Sequence, residues 1–71
     1  MSNRKVRTDQ QIVDQTNELA RKLYAIRGYQ VPNGYRFDEA THPHEVEAWE
    51  GACAAQIYLT DTDPKDALDN L

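Results

Sequence analysis

The sequence contains a single cysteine and no apolar run that approaches the length of a membrane span. Because an internal disulfide needs two cysteines, Cys53 forms none, and its position among alanines indicates a small buried side chain. A membrane-spanning helix needs about 20 predominantly apolar residues. The N-terminal stretch MSNRKVRTDQQ also lacks the apolar core of a signal peptide. We therefore expect a cytoplasmic protein without a membrane-embedded part.

Motifs for catalysis and cofactor binding are also missing. The sequence has no glycine-rich phosphate loop, no HExxH pair and no nucleophile elbow. The cluster with metal-ligating residue types consists of His42, His44, Glu45, Glu47 and Cys53. Residues two apart do not share a helix face, so helix capping and dipole effects explain this cluster better than a metal site. We expect a protein that is not an enzyme and that binds no cofactor, metal or small-molecule ligand.

Basic residues are scarce in the second half of the chain. Residues 38–71 contain nine Asp or Glu and one basic residue, Lys65, whereas residues 1–37 contain seven Lys or Arg and three acids. Nucleic acids repel an acidic surface, so we expect no direct nucleic acid binding. Arg4, Lys5 and Arg7 belong to a polar N-terminal stretch, residues 1–7, which we predict to be a disordered basic arm.

The clearest helix signal lies between Thr41 and Leu59. Pro43 suits the first helical position, with Thr41 or His42 as the N-cap. We predict a helix from Pro43 to Leu59 that contains the only tryptophan, Trp49. Its predicted buried stripe consists of Val46, Trp49, Cys53 and Ile57, widened by Ala48, Ala52, Ala55 and Leu59. The small residues at 52–55 indicate that another helix crosses close to its backbone.

A second amphipathic helix is predicted from Thr8 to Arg27. Thr8 and Gln11 have the spacing of a capping box, and Gly28 suits the left-handed residue that ends a helix. The apolar stripe of this helix consists of Ile12, Thr16, Leu19, Leu23 and Ile26, with Val13 and Ala20 beside it.

The segment between these helices contains turn signals, and a third helix follows the second. Pro32 favours an extended residue before it, and Asn33-Gly34 predicts a tight turn. Residues 37–40 suit a single helical turn. Asp63-Pro64 resembles the cap of a short helix with Ala67, Leu68 and Leu71 on one side. We predict an all-α fold, a single helical domain of residues 8–71 built on an antiparallel helical hairpin with a short C-terminal helix.

Large apolar and aromatic side chains are concentrated in the connection between the two long helices. They can fold over the open end of the two-helix core, or they can form a partner-binding patch. The small size of the core favours the first alternative. If the second holds, the candidate partner-binding residues are Tyr24, Tyr29, Val31, Pro32, Tyr35, Arg36 and Phe37.

Several residues between positions 9 and 59 recur at the spacing of a known family. They are Asp9-Gln10, Asp14, Asn17, Leu19-Ala20, Tyr29-x-Val31-Pro32 and Pro43-x-x-Val46-x-x-Trp49. In these residues the chain resembles the theta subunit of bacterial DNA polymerase III and its phage-encoded counterpart. The resemblance implies a three-helix fold and an accessory role, binding and stabilising the epsilon proofreading exonuclease subunit.

The chain departs from this family at two places. Asn33-Gly34 predicts a break where the family continues as helix, and Gly51 to Ala55 replaces an arginine-rich segment. A weaker resemblance, to ribosome modulation factor, involves Arg27-Gly28-Tyr29-Gln30 and Trp49-x-x-Ala52 without the basic charge needed on ribosomal RNA. A different alternative is a small acidic phage-type inhibitor, whose carboxylates imitate DNA phosphates on a host nuclease, restriction or defence complex.

Overall fold

The structure, a computed structural model, describes residues 7–71. In chain order these residues form helix α1 (Asp9–Ile26), a 3-10 turn (Phe37–Glu39), helix α2 (Pro43–Thr60) and helix α3 (Pro64–Asp69). Contacts run from Thr16 to Gln56 and from Arg27 to Glu47, so α1 and α2 are antiparallel. No strand occurs in this part of the chain. The predicted all-α fold, a helical hairpin with a short third helix, is confirmed.

Helix α1 begins and ends where its capping residues predict. The Thr8 hydroxyl accepts a hydrogen bond from the Gln11 backbone N–H, and the Gln11 side chain accepts one from the Thr8 N–H. These two bonds satisfy backbone donors that have no partner inside the helix. Arg27 is the C-cap, and Gly28 follows with a φ of +92°. The capping box and the glycine stop are confirmed.

The buried face of α1 differs from the prediction at its last turn. Its buried residues are Ile12, Val13, Thr16, Ala20 and Tyr24. Leu19 and Leu23 pack at the edge of the core, but Ile26 is 80% exposed, so its predicted burial is wrong. Two helical positions correspond to about 200° of rotation. Because Tyr24 faces the core, Ile26 lies on nearly the opposite side.

Helix α2 begins at Pro43, with His42 as its N-cap. The His42 Nδ1 accepts a hydrogen bond from the His44 backbone N–H at 3.2 Å. The buried residues of this helix are Ala48, Trp49, Ala52, Cys53 and Gln56. Ile57 and Leu59 are exposed, so their predicted burial is wrong. The buried stripe passes through Gln56, which donates a 3.0 Å hydrogen bond to the Thr16 hydroxyl, and the stripe therefore passes beside Ile57.

Small side chains allow α1 and α2 to approach each other closely. Ala20 and Ala52 are both fully buried in the interface, together with Cys53. A Cβ placed on Gly51 would lie 3.6 Å from the Leu23 Cδ1, which is ordinary van der Waals contact. Trp49 fills the wider part of the core nearby. The predicted close crossing is confirmed for Ala52 and Cys53, whereas Ala54 is exposed and Ala55 is only half-buried.

Helix α3 packs mainly against the first half of α1. Asp63 caps it by accepting a 2.9 Å hydrogen bond from the Lys65 N–H. Ala67 is buried against Ile12 and Val13. Leu71 is 60% exposed, so its predicted place on the same packed side as Ala67 is wrong. The helix ends at Asp69, so Leu71 lies beyond its last turn.

The N-terminal arm falls largely outside the described residues. Residues 1–6 of the predicted disordered basic arm, 1–7, are among the residues that the structure does not describe. Arg7 is described, and its guanidinium donates hydrogen bonds to the Gln15 side chain and to the Thr60 hydroxyl. Within residues 7–71, no helix has the length and apolar character required to cross a membrane.

Candidate protein-binding surfaces

The connection between α1 and α2 packs over the end of the helical hairpin. Phe37 is 1% exposed and lies at the centre of this packing. The Tyr24 and Tyr35 rings meet the Phe37 ring edge-on, with ring centroids 5.5 and 5.0 Å apart. Such edge-to-face pairs add to the stabilisation gained from burial alone. The turn at Pro32 to Tyr35, closed by a 3.1 Å backbone hydrogen bond with Gly34 at a φ of +85°, turns the chain back towards the core.

Asn17 fastens the connection to α1. Its Oδ1 accepts a hydrogen bond from the Phe37 backbone N–H, and its Nδ2 donates to the Asp38 carboxylate at 2.8 Å. Arg36 donates two further bonds to the same carboxylate, at 2.9 and 2.8 Å. Burial raises the pKa of Asp38, but the bonds from Arg36 and Asn17 outweigh it, and the net pKa is below the ordinary value. The Asp38 carboxylate therefore helps to hold the connection on α1.

Two further contacts join this end of the hairpin to the start of α2. The Tyr35 hydroxyl donates a hydrogen bond to the Glu45 carboxylate, and this bond, with burial, raises the pKa of Tyr35 to about 12. The Arg27 guanidinium lies 2.6 Å from the Glu47 carboxylate. Because both members of the second pair are largely exposed, it contributes little to stability. The half-buried contact between Tyr35 and Glu45 holds the connection more firmly.

The seven candidate partner-binding residues divide into core and surface. Tyr24 and Phe37 are buried, and Val31 and Tyr35 are partly buried against the same core. The exposed members are Tyr29, Pro32 and Arg36. Four of the seven thus fold over the end of the hairpin, the first of the two alternatives. Partner binding through the three exposed residues stays a prediction.

Tyr29 lies beside a shallow pocket of about 270 Å³. Its ring stacks between Tyr24 and His44, with centroid distances of 4.8 and 5.5 Å, and 39% of the residue remains exposed. The pocket is lined by Arg21, Tyr24, Ala25, Tyr29, Gln30, Val31 and Asn33. Its volume is below that of ordinary small-molecule sites, which hold about 300 to 1,000 Å³.

A larger apolar surface lies at the other end of the hairpin. Ile57, Tyr58 and Leu59, here called the apolar end of α2, are 45%, 87% and 74% exposed. Sequence reasoning missed this surface by assigning Ile57 and Leu59 to the core. A signal was present, because successive helical residues are about 100° apart and three consecutive large apolar residues cannot all face one core.

Acidic residues follow the apolar end of α2. Asp61 ends the helix in the left-handed conformation, with a φ of 56°, and its N–H donates a 2.9 Å hydrogen bond to the Ile57 carbonyl. Within residues 7–71, the carboxylates of Asp61, Asp66 and Asp69 make neither a hydrogen bond nor an ion pair. Lys65, the basic residue of this segment, pairs with Glu50 at 2.7 Å. Among the described residues, this segment therefore carries more negative than positive charge.

Reactive and metal-binding groups are not assembled in the described part of the chain. Cys53 is buried, and burial raises the pKa of its thiol to about 11, which disfavours the nucleophilic thiolate. His42 and His44 lie with their rings 5.3 Å apart. Residues 7–71 contain no group of three or more His, Cys, Asp or Glu side chains that could hold a metal ion.

Comparisons with known proteins give no relative for this chain. No protein family, no curated protein and no solved structure matches it. Its function is therefore inferred from its own surfaces and from the residues that carry the resemblance described above.

Proposed function

We propose that this chain is a non-catalytic accessory protein that binds and stabilises a larger protein. The observation that carries this proposal is the exposure of Ile57, Tyr58 and Leu59 on one helical turn. On a small protein, large apolar side chains that are exposed together mark interaction sites more often than singly exposed ones do. The protein acts in the cytoplasm by presenting this surface, and it needs neither a cofactor nor a small-molecule ligand.

The partner that we propose is the proofreading exonuclease subunit of a DNA polymerase. The support is the resemblance to the theta subunit, whose shared residues include Asn17, Pro43 and Trp49. In this structure Asn17 holds the connection, Pro43 begins α2 and Trp49 fills the core. These three shared residues help to build the three-helix scaffold, and such a scaffold is what a theta-like accessory protein would require.

Direct titration tests the choice of partner. The purified exonuclease subunit of the source organism's polymerase is titrated with this protein in a calorimeter, and its melting temperature is measured with and without the protein. We expect a one-to-one complex and a higher melting temperature, since a ligand that binds only the folded state stabilises it. A small acidic protein of similar net charge serves as the control. Absence of binding at concentrations of tens of micromolar would rule out this partner.

A second candidate function is an acidic inhibitor that imitates DNA. Asp61, Asp66 and Asp69, which have no side-chain partner within residues 7–71, favour it, because a mimic needs carboxylates that can meet a basic site. The other acids of the second half fit it less well. Five of them already accept hydrogen bonds within the chain: Asp38, Glu45, Glu47, Glu50 and Asp63.

Salt and DNA competition separate the two functions. A mimic bound to a host nuclease, restriction or defence complex should be displaced by duplex DNA and should lose affinity steeply as salt rises, because its contacts are charged. Binding through the apolar end of α2 should depend much less on salt. The measurement is a set of binding isotherms between about 0.05 and 0.5 M salt, a range over which charge screening changes strongly.

A further inference from the structure

Helix α2 carries two faces that are candidates for burial, and they overlap. The face that is buried in the structure consists of Ala48, Trp49, Ala52, Cys53 and Gln56. The apolar stripe of the sequence predicts a different face, which consists of Val46, Trp49, Cys53 and Ile57. Because successive helical residues are about 100° apart, the centres of the two faces differ by a rotation of roughly 75°. A rotation of α2 about its own axis would therefore exchange one face for the other.

Hydrophobic burial alone does not explain which face is buried. The competing face would bury Val46 and Ile57, whereas the observed face buries two alanines and Gln56 in their place. Valine and isoleucine remove more apolar surface from water than alanine does. In the structure Val46 is only half-buried and Ile57 is 45% exposed. Other contacts therefore favour the observed rotation.

Near the end of α2 the choice between the two faces is a choice between Gln56 and Ile57. One turn earlier, Ala52 is fully buried in the interface with α1, where its small side chain allows the backbones to approach closely. The size of Ala52 thus favours the observed rotation in the middle of the helix. Gln56 has no such advantage, since the burial of an amide costs free energy unless the amide is hydrogen-bonded.

Thr16 provides the hydrogen bond that Gln56 requires. Gln56 is 7% exposed, and its side-chain amide donates to the Thr16 hydroxyl at 3.0 Å. Thr16 is fully buried, and its hydroxyl donates in turn to the Ile12 carbonyl at 2.6 Å. In the part of the chain that the structure describes, no buried side-chain nitrogen or oxygen lacks a hydrogen-bond partner. A rotation of α2 towards the competing face would separate Gln56 from Thr16.

We propose that the hydrogen bond between Gln56 and Thr16 is a conformational device that selects the rotation of α2. It removes the cost of burying Gln56 in the observed rotation, and it thereby keeps Ile57 at the surface. Without it, α2 turns towards the competing face, so that Ile57 enters the interface and the Gln56 amide reaches water. A single buried asparagine fixes the register of coiled coils in a similar way. The device acts whichever partner the chain binds.

Thr16→Val tests this selection. Valine has the shape of threonine without its hydroxyl, so the variant leaves the buried Gln56 amide without its partner. The cost of an unpaired buried donor corresponds to a shift of roughly tenfold or more in the ratio of the two rotations.

The measurement is the attenuation of methyl signals by a soluble paramagnetic agent in nuclear magnetic resonance spectra, which reports the exposure of each methyl group to solvent. In the wild type the Ala48 methyl should be protected and the Ile57 methyls attenuated, because these residues are 5% and 45% exposed. In Thr16→Val we expect opposite changes at the two residues. The attenuation should rise at Ala48 and fall at Ile57.

Two further variants provide the controls. Thr16→Ser keeps the hydroxyl, so it should give the attenuation pattern of the wild type. The double variant Thr16→Val/Gln56→Leu replaces both polar members by apolar ones, a change that can be nearly neutral. Because its observed face no longer buries an unpaired amide, it should restore the wild-type pattern. Restoration by a second substitution distinguishes selection of a rotation from a general loss of stability.

Several results would overturn the proposal. A wild-type pattern in Thr16→Val would show that α2 has no competing rotation, and an unfolded Thr16→Val would show that the hydrogen bond maintains the fold as a whole. A changed pattern in Thr16→Ser, or a double variant that is not restored, would show that the bond does not act by pairing Gln56. Sedimentation that shows Thr16→Val protecting Ile57 by forming a dimer would also contradict a rotation within one chain.

Discussion

Large side chains are buried at one end of the helical hairpin and exposed at the other. At the connected end, Phe37 is buried among aromatic rings, and Asn17 and Asp38 bind the connection to α1. At the other end, Tyr58 and its neighbours extend into solvent beside carboxylates without partners in residues 7–71. The difference indicates that the connected end maintains the fold, whereas the apolar end of α2 is left largely exposed by the rest of residues 7–71.

This contrast matters because the domain is small. A chain of this length buries a limited apolar area, and its net stability is only a few kcal/mol. The connected end therefore carries a large share of that stability in a few residues. The apolar end of α2 contributes little, which leaves its residues free to change without loss of the fold.

Removing the Phe37 ring, at the centre of the connected end, should lower the free energy of unfolding the most. Phe37→Ala deletes a ring that is almost fully buried and leaves a cavity, at a cost of about 3 to 5 kcal/mol. Urea unfolding followed by Trp49 fluorescence measures the change. Tyr58→Ala, which removes a ring at the other end, is the matched control. A Phe37→Ala variant as stable as the wild type would show that the connection does not belong to the core.

Breaking the polar contacts of the connection should lower the free energy of unfolding by an intermediate amount. Asn17→Ala leaves the Phe37 N–H and the Asp38 carboxylate each without one hydrogen bond partner. Such losses cost about 1 to 3 kcal/mol when the groups are buried. The change is measured by urea unfolding, and a double-mutant cycle with Asp38→Asn isolates the coupling between the two side chains. Additive effects would mean that Asn17 and Asp38 stabilise the fold independently.

Low pH should destabilise the fold through protonation of Asp38. Its pKa in the folded state lies below the value of 3.8 taken for an unperturbed Asp. The ionised carboxylate therefore stabilises the fold above about pH 4, and this contribution is lost as the pH falls through the folded pKa. The urea midpoint of the wild type should fall between pH 7 and pH 3 by more than that of Asp38→Asn. Equal falls would assign acid sensitivity to other carboxylates.

Changes at the apolar end of α2 should have the smallest effect on folding. Tyr58→Ala should alter the free energy of unfolding by less than about 0.5 kcal/mol, as is usual for exposed positions without tertiary contacts. Thermal unfolding monitored by circular dichroism measures it, with Ile26→Ala as an equally exposed control. A loss above about 1 kcal/mol at Tyr58, well outside the range of exposed positions, would show that this end also supports the fold.

Sequence reasoning succeeded where local chemistry decides the structure. The Thr8 and Gln11 capping box, Pro43 at the first position of α2 and the left-handed glycines at 28 and 34 all occur as predicted. Each depends on a few neighbouring residues. The close crossing of the helices was also predicted, since small residues on one face admit a neighbouring backbone.

The same reasoning failed where the rotation of a helix decides burial. Gln56 was not recognised as part of the buried face, because its partner Thr16 is forty residues away in the sequence. With Gln56 facing α1, Ile57 and Leu59 turn outward. Apolar residues all around the end of α2 are compatible with more than one rotation. The candidate protein-binding surface therefore appears only when the tertiary contacts are known.

The buried cysteine can be used to measure how often the helical hairpin opens. Cys53 is the single thiol of the chain, it lies between the two long helices, and burial holds its pKa at about 11. A thiol-specific reagent can therefore react rapidly only when α1 and α2 separate. The ratio of its labelling rate in the native protein to that of an exposed thiol gives the free energy of this opening. A partner that clamps the hairpin will slow the labelling, and so will reveal its binding without any added probe.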